Sequence, residues 1–222
     1  MEEKIVVRDY FNSVGFERWR RIYGTDEVNF VQKDIRQGHA RTVDAVLKWL
    51  ADVEGKTICD AGCGVGSLSL PLAQRGAKLE SSDISEQMVN EAIRRRDQLE
   101  LGDNPHFSVS DLESLSGSYD IVVCLDVMIH YPEADAQRML KTLAGLAQEK
   151  LIFSFAPKTP LLSLLKKVGE FFPGPSKTTR AYQHREKMLV QTLGSLGWQV
   201  SRRETIKSRF YFAWILEVVP KS

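Results

Sequence analysis

The chain has 222 residues, 43% of them hydrophobic, with 30 basic against 29 acidic side chains and a formal charge of +1. That length suits one domain, the apolar content excludes general disorder, and the near-zero charge excludes a global field that would gather nucleic acid. No apolar run approaches the ~18–20 residues of a membrane span.

The start, MEEKIVVRDYFNS, has no basic segment followed by an apolar one, so it does not read as a secretory signal. Residues 1–35 are rich in aromatics: Tyr10, Phe11, Phe16, Trp19, Tyr23 and Phe30. Val7, Tyr10, Phe11 and Val14 fall at i, i+3, i+4 and i+7, which predicts a short amphipathic helix. A second helix is expected over 35–50, burying Val43, Val46, Leu47 and Leu50. From Lys56 strands and helices alternate. Strands are expected at 56–60, 77–83, 106–110, 119–125 and 150–155. Helices are expected at 68–74, from the N-cap Ser85 to about Leu99, and at 134–148. This alternation predicts an α/β fold with a mostly parallel sheet.

The rhythm breaks over 157–185, a segment too long for a plain connection and read as an insertion. Leu161, Leu164, Leu165 and Val168 share a helical face there, beside Lys166 and Lys167, and Phe172-Pro-Gly-Pro175 ends it. The pattern resumes with a helix over 186–196, stopped by Gly197. Strands at 198–206 and 210–219 close the chain as an antiparallel hairpin. Cys59, Cys63 and Cys124 are odd in number and scattered, so no disulfide framework and no metal site is expected. A reducing, cytoplasmic compartment fits.

The densest chemical signal follows the first strand of the alternating region: Asp60-Ala-Gly62-Cys63-Gly64-Val-Gly66. Glycines let the backbone turn tightly and let a ligand approach it. A pyrophosphate loop would place a third glycine three beyond Gly64, where Ser67 stands. Asp60 at the strand end would repel a pyrophosphate and attract an ammonium. Asp83 ends the second strand about twenty residues on, where a carboxylate can accept both ribose hydroxyls. A ligand with a ribose, a cationic amino acid and no phosphate satisfies all three.

This pattern resembles the class I S-adenosylmethionine-dependent methyltransferases. The resemblance implies a Rossmann-like sheet of about seven strands, the last hairpin antiparallel, with helices on both faces. An N-terminal helical arm and an insertion after strand 5 are added to it. It places Asp111 at the adenine amino group and the stretch Leu125-Asp-Val-Met-Ile-His130 at the reactive end. It further implies Ile84, Met88, Leu112, Leu125 and the loop residues Gly62, Cys63, Gly64 and Gly66 as cofactor contacts. A nicotinamide dehydrogenase is the rival reading of the glycine loop, and the acids argue against it.

Beyond that core the chain resembles the magnesium-protoporphyrin IX O-methyltransferase family. The segments that carry this are 7–12, 15–23, 59–69, 125–132 and, most specifically, 154–160 with 166–186. The resemblance implies transfer of a methyl from S-adenosylmethionine to a propionate carboxylate of magnesium protoporphyrin IX, leaving S-adenosylhomocysteine. It implies His130 and Tyr23 as catalytic residues and the porphyrin-binding subunit of magnesium chelatase as a partner. Without a transit peptide the chain fits a cyanobacterial form. The expected organisation is an arm or lid over 1–35, a cofactor core over 36–156, a substrate insertion over 157–185 and the end of the core over 186–222. The disc needs apolar walls and cations at one rim. Phe11, Phe16, Trp19 and Tyr23 with Arg18, Arg20 and Arg21 are expected to supply part of them. Residues 161–165, Phe171 and Phe172 with Lys158, Lys166, Lys167, Lys177, Arg180 and Arg185 are expected to supply the rest. Of His39, His106 and His184, His184 is the best candidate for the substrate magnesium, and water is an equally good ligand. The apolar face at 161–172, flanked by lysines, also suits peripheral contact with a thylakoid or plasma membrane. The alternatives are a methyltransferase for a quinone or another acid, and a cofactor-binding regulator without turnover.

Overall fold

The computed structural model describes residues 2–159 and 181–221. The insertion's apolar face and its cations Lys166, Lys167, Lys177 and Arg180 lie outside the described residues.

The arm is two helices, α1 (Glu2–Phe11) and α2 (Val14–Ile22). Val7 and Tyr10 are buried as the spacing predicts, but Val14 is 72% exposed. The periodic stripe ends early because the chain leaves the helix at Asn12, whose side chain turns away to accept from Ser85 Oγ at 2.8 Å. Helix α3 (Phe30–Trp49) starts five positions before the expected Ile35. Asn29 and Gln32 form a reciprocal capping box that satisfies two otherwise orphaned amides.

The strands are β1 (Thr57–Ala61), β2 (Lys78–Asp83), β3 (His106–Val109), β4 (Tyr119–Cys124), β5 (Ala147–Phe155), β6 (Trp198–Lys207) and β7 (Phe212–Pro220). Between them run α4 (Ser69–Gln74), α5 (Glu86–Gln98), α6 (Glu133–Leu146) and α7 (Glu186–Ser195). They form one seven-stranded sheet, ordered β3-β2-β1-β4-β5-β7-β6. The first five strands pair in parallel, and β7 is antiparallel to both β5 and β6.

Alternation along each strand divides the core into two layers. On β4, Ile121 and Val123 join the α3 and α4 side, while Val122 and Cys124 join the α6 and α7 side. All four are almost fully buried, and each such aliphatic contributes about 1.5–3 kcal/mol. Strand order reverses between β1 and β4. In such sheets the crevice for a ligand opens beyond the carboxyl ends of those two strands.

The two ends of the 157–185 segment meet at the sheet. His184 N–H donates to the Ala156 carbonyl and Lys158 N–H to the His184 carbonyl, both at 2.8 Å. Among the described residues no helix is long and apolar enough to cross a membrane.

Candidate active site

Beyond β1 the chain makes three left-handed glycines, Gly62 (φ +85), Gly64 (φ +53) and Gly66 (φ +80). Gly62 and Cys63 donate to the Ser82 carbonyl at 2.8 and 2.9 Å, which folds the loop back onto β2. That brings Gly64 N–H 3.0 Å from Asp83 Oδ2, while Ser85 N–H donates to Asp83 Oδ1 at 2.9 Å. Burial pushes the Asp83 carboxyl above its usual range, and those backbone donors oppose the shift.

Asp60 is 2% exposed and sits behind the loop, accepting from Ser69 Oγ at 2.5 Å. Burial raises its carboxyl to about 6, with the Ser69 bond opposing. Asp111, beyond β3, accepts from Lys4 of α1 at 3.0 Å and from its own turn at Glu113 and Ser114. Burial works against its ionisation, but the Lys4 and Ser114 bonds outweigh it and hold the carboxyl low.

After β4 a 3-10 turn, Met128–His130, aims His130 at the cavity. Its imidazole meets the edge of Phe11 at 5.2 Å between ring centroids, and Nδ1 is buried without a partner among the described residues. Burial lowers its pKa to about 4, against the pull of Asp126, so the ring is neutral at pH 7. Tyr23 ends α2, with its ring 5.3 Å from Trp19 and 4.3 Å from His39. Burial first, then the charges of Asp126 and Asp83, push its phenol well above its ordinary value. It therefore stays protonated and can donate.

One cavity gathers these groups. Of the residues expected from sequence, Tyr23, His130, Gly62, Cys63, Gly64, Asp83, Ile84, Met88, Asp111, Leu112 and Leu125 all line it. Asp60 and Gly66 lie behind its wall; a Cβ on Gly66 would meet Leu70 and Phe107 at 3.2 Å. His184 is fully buried, with Nε2 on the Met128 carbonyl at 2.9 Å. It braces the turn beneath His130 and is not among the residues that line the cavity. Arg20 is held by Glu17 and Asp26, and Arg21 by the Glu27 carbonyl. These two arm cations are thus spent within the arm.

Lys4, His39 and Asp126 also line the cavity and were not expected there as a group. Asp126 stood in the recognised stretch after β4, but no local pattern pairs it with His39. The lining acids are Asp83, Asp111 and Asp126, and the lining cationic types are Lys4, His39 and His130. This set suits a ligand bearing hydroxyl and amino donors, and opposes a pyrophosphate.

Known proteins resemble this chain in sequence and in fold. Residues 124–220 match the family model described as magnesium-protoporphyrin IX methyltransferase C-terminus, and residues 58–150 the one described as methyltransferase domain. The chain is 56% identical to the magnesium-protoporphyrin O-methyltransferase of Synechocystis sp., over 99% of this chain and 97% of that protein. It is 55% identical to the chloroplastic magnesium protoporphyrin IX methyltransferase of Arabidopsis thaliana, over 98% of this chain and 72% of that one. The crystal structure of magnesium protoporphyrin IX methyltransferase from Synechocystis PCC 6803 with bound SAH matches with a TM-score of 0.90 at 53% identity, over 99% of this chain and 100% of that one. The same protein with bound SAM matches at 0.88 and 49%, over 100% of this chain and 98% of that one.

Proposed function

The chain belongs to the magnesium-protoporphyrin IX methyltransferase family, and from that premise we propose that it methylates a propionate carboxylate of magnesium protoporphyrin IX, a step of chlorophyll synthesis. One observation supports this reading above the others. A single cavity joins two carboxyls suited to a nucleoside, Asp83 and Asp111, to an end walled by Tyr23 and His130.

When bound, S-adenosylmethionine supplies a methyl whose bond to sulfur breaks as a bond to the acceptor oxygen forms, leaving the electron pair on a neutral thioether. The chain's own residues bind, orient and exclude water. Asp83, held at both oxygens by backbone donors, accepts the two ribose hydroxyls. Asp111 meets the adenine amino group, and Ile84, Met88 and Leu112 wall the base. The loop at Gly62, Cys63, Gly64 and Gly66 brings backbone close to the amino-acid end, with Leu125 opposite and Asp60 placing its charge from behind. His130, neutral at pH 7, orients the acceptor carboxylate. That carboxylate is already ionised, so no strong base is needed. Tyr23 donates a hydrogen bond from the arm.

Residues 1–35 act as the cover, 36–156 and 186–222 as the core, and 157–185 as a substrate-binding insertion. The porphyrin-binding subunit of magnesium chelatase as partner, and peripheral membrane contact through 161–172, rest on the sequence alone.

The test is incubation with S-adenosylmethionine and magnesium protoporphyrin IX, read by mass spectrometry. One added methyl on the porphyrin is the expected product. No product with the cofactor still bound would keep the methyltransferase core and discard the porphyrin, leaving a quinone or another acid.

A further inference from the structure

Two imidazoles face the cavity, and only one has its orientation set by a carboxylate. His39 of α3 holds Nδ1 2.8 Å from Asp126 Oδ2. A carboxylate only accepts, so Nδ1 carries a proton there. Asp126 is pinned in turn. Tyr211 donates to its two oxygens at 2.9 and 2.8 Å, and Ser154 Oγ donates to Oδ1 at 3.0 Å. Asp126 also adopts φ +57, a conformation that costs a non-glycine residue on the order of 1–3 kcal/mol and persists only where surroundings enforce it.

The other nitrogen, His39 Nε2, is buried and has no partner among the described residues. A buried polar atom left unpaired costs about 1–3 kcal/mol, so it marks a place where a partner arrives. His39 lines the cavity together with Tyr23 and His130. Lys4 is already taken by Asp111 and Glu113. Of the carboxyls about the cavity, Asp126 bonds His39 directly and Asp60 acts on it from behind the loop. The phenols of Tyr23 and Tyr211 beside it are kept neutral by burial.

We propose that His39 Nε2–H binds one oxygen of the propionate that receives the methyl, and that Asp126 is the positioning residue holding that imidazolium. This rests on the porphyrin-carboxylate reading above. An ionised propionate oxygen is acceptor-only, so the bond needs a proton on Nε2 as well as the one Nδ1 gives to Asp126. The second propionate oxygen stays free to attack. Its lone pair forms the O–CH3 bond, the S–CH3 electrons stay on sulfur, and no proton leaves His39. As the carboxylate becomes a neutral ester, the charge-assisted bond weakens and product release is favoured. The contact is thus strongest in the ground state and acts mainly on KM.

An imidazole oriented by a carboxylate could also ligate the substrate's magnesium. The Tyr23 ring lies against the His39 ring, with centroids 4.3 Å apart, so no porphyrin disc can lie between them.

The experiment compares wild type, His39→Gln and Asp126→Asn, since asparagine tolerates the left-handed backbone at 126. Fluorescence titrations use magnesium protoporphyrin IX, its metal-free form and its dimethyl ester, and calorimetry of S-adenosylmethionine binding reports an intact fold. His39→Gln is expected to raise the KM and Kd for both free acids about 10–100-fold while kcat stays within about threefold. Asp126→Asn shifts them the same way by less, and diester binding is unchanged in both. Unaltered free-acid affinity in His39→Gln would overturn the proposal. So would an equal loss for the diester, or a loss confined to the magnesium form, which would put the nitrogen on the metal. A wild type that binds the free acid better than the diester yet transfers no methyl would instead overturn the proposed reaction.

Discussion

Gly62 and Gly64 are two residues apart in one loop, yet they tolerate a side chain differently. A Cβ on Gly62 would clash with Val127 Cγ2, while one on Gly64 would find nothing within 4 Å among the described residues. Both sit at positive φ, so alanine at Gly64 is expected to cost about 1–2 kcal/mol of backbone strain alone. Gly62→Ala must add displacement of Val127 and so lose clearly more, measured by urea unfolding. Equal losses would refute the close approach of the loop to the turn after β4. His130→Ala is expected to leave cofactor affinity unchanged and lower turnover about 10–100-fold, the worth of one hydrogen bond to a charged group. Because the pKa of His130 is pushed down to about 4, its contribution is full at neutral pH and fades only as the assay is acidified toward 4. Wild-type turnover in that variant would remove His130 from the reaction. Asp83 and His130 were legible because each stands at a strand end in a recognisable string. Asp60 was legible as an acid, but its place behind the loop depends on the hydroxyl of distant Ser69 donating to it.

The arm helices are held to the core by polar contacts as much as by apolar ones. Arg95 of α5 donates to the Tyr23 carbonyl at 3.1 Å, and its own orientation comes from Glu91, 2.8 Å away. Glu91 is 7% exposed. The hydrogen bond from Arg94, then burial opposing it, then the bond from Arg95 give a carboxyl lowered from 4.5 to about 2. A lowered folded value contributes stability that is present above the unfolded value and lost as pH falls through the folded one. Acid unfolding between about 4.5 and 2 should therefore include this group. Glu91→Gln is expected to cost about 1.5–3 kcal/mol, the worth of hydrogen bonds to a charged partner, and to flatten that part of the pH–stability curve. An unchanged acid limb would show that α5 does not hold Tyr23. No residue pattern in α5 announces this duty, since three arginines after a glutamate read equally well as a solvated helix face.

At the scale of the molecule, the reversal of strand order between β1 and β4 puts the carboxyl ends of four strands around one crevice. A ligand there touches the loop after β1, Asp83, Asp111 and the turn after β4 together, so it should stabilise the fold as a whole. S-adenosylhomocysteine at about 100 times its Kd should add about 2.7 kcal/mol. At about 2–4 °C per kcal/mol for a chain of this size, scanning calorimetry should show a rise of roughly 5–10 °C. Asp83→Ala should abolish most of it. A rise that survives in that variant would move the ligand out of the crevice.

The chain by itself determined the alternation of strands and helices, the glycine loop and the acids at successive strand ends. Each of these is written in neighbouring residues, through hydrophobic period, turn chemistry or capping. It also carried the family resemblance, which spans segments from residue 7 to residue 186. What only the tertiary structure decided is which distant side chains meet. His39 reaches Asp126 across 87 positions and Tyr211 reaches it across 85. His184 turned out to brace the Met128 carbonyl, 56 positions away. Such pairings follow from strand order and helix packing, and local sequence has no term for either.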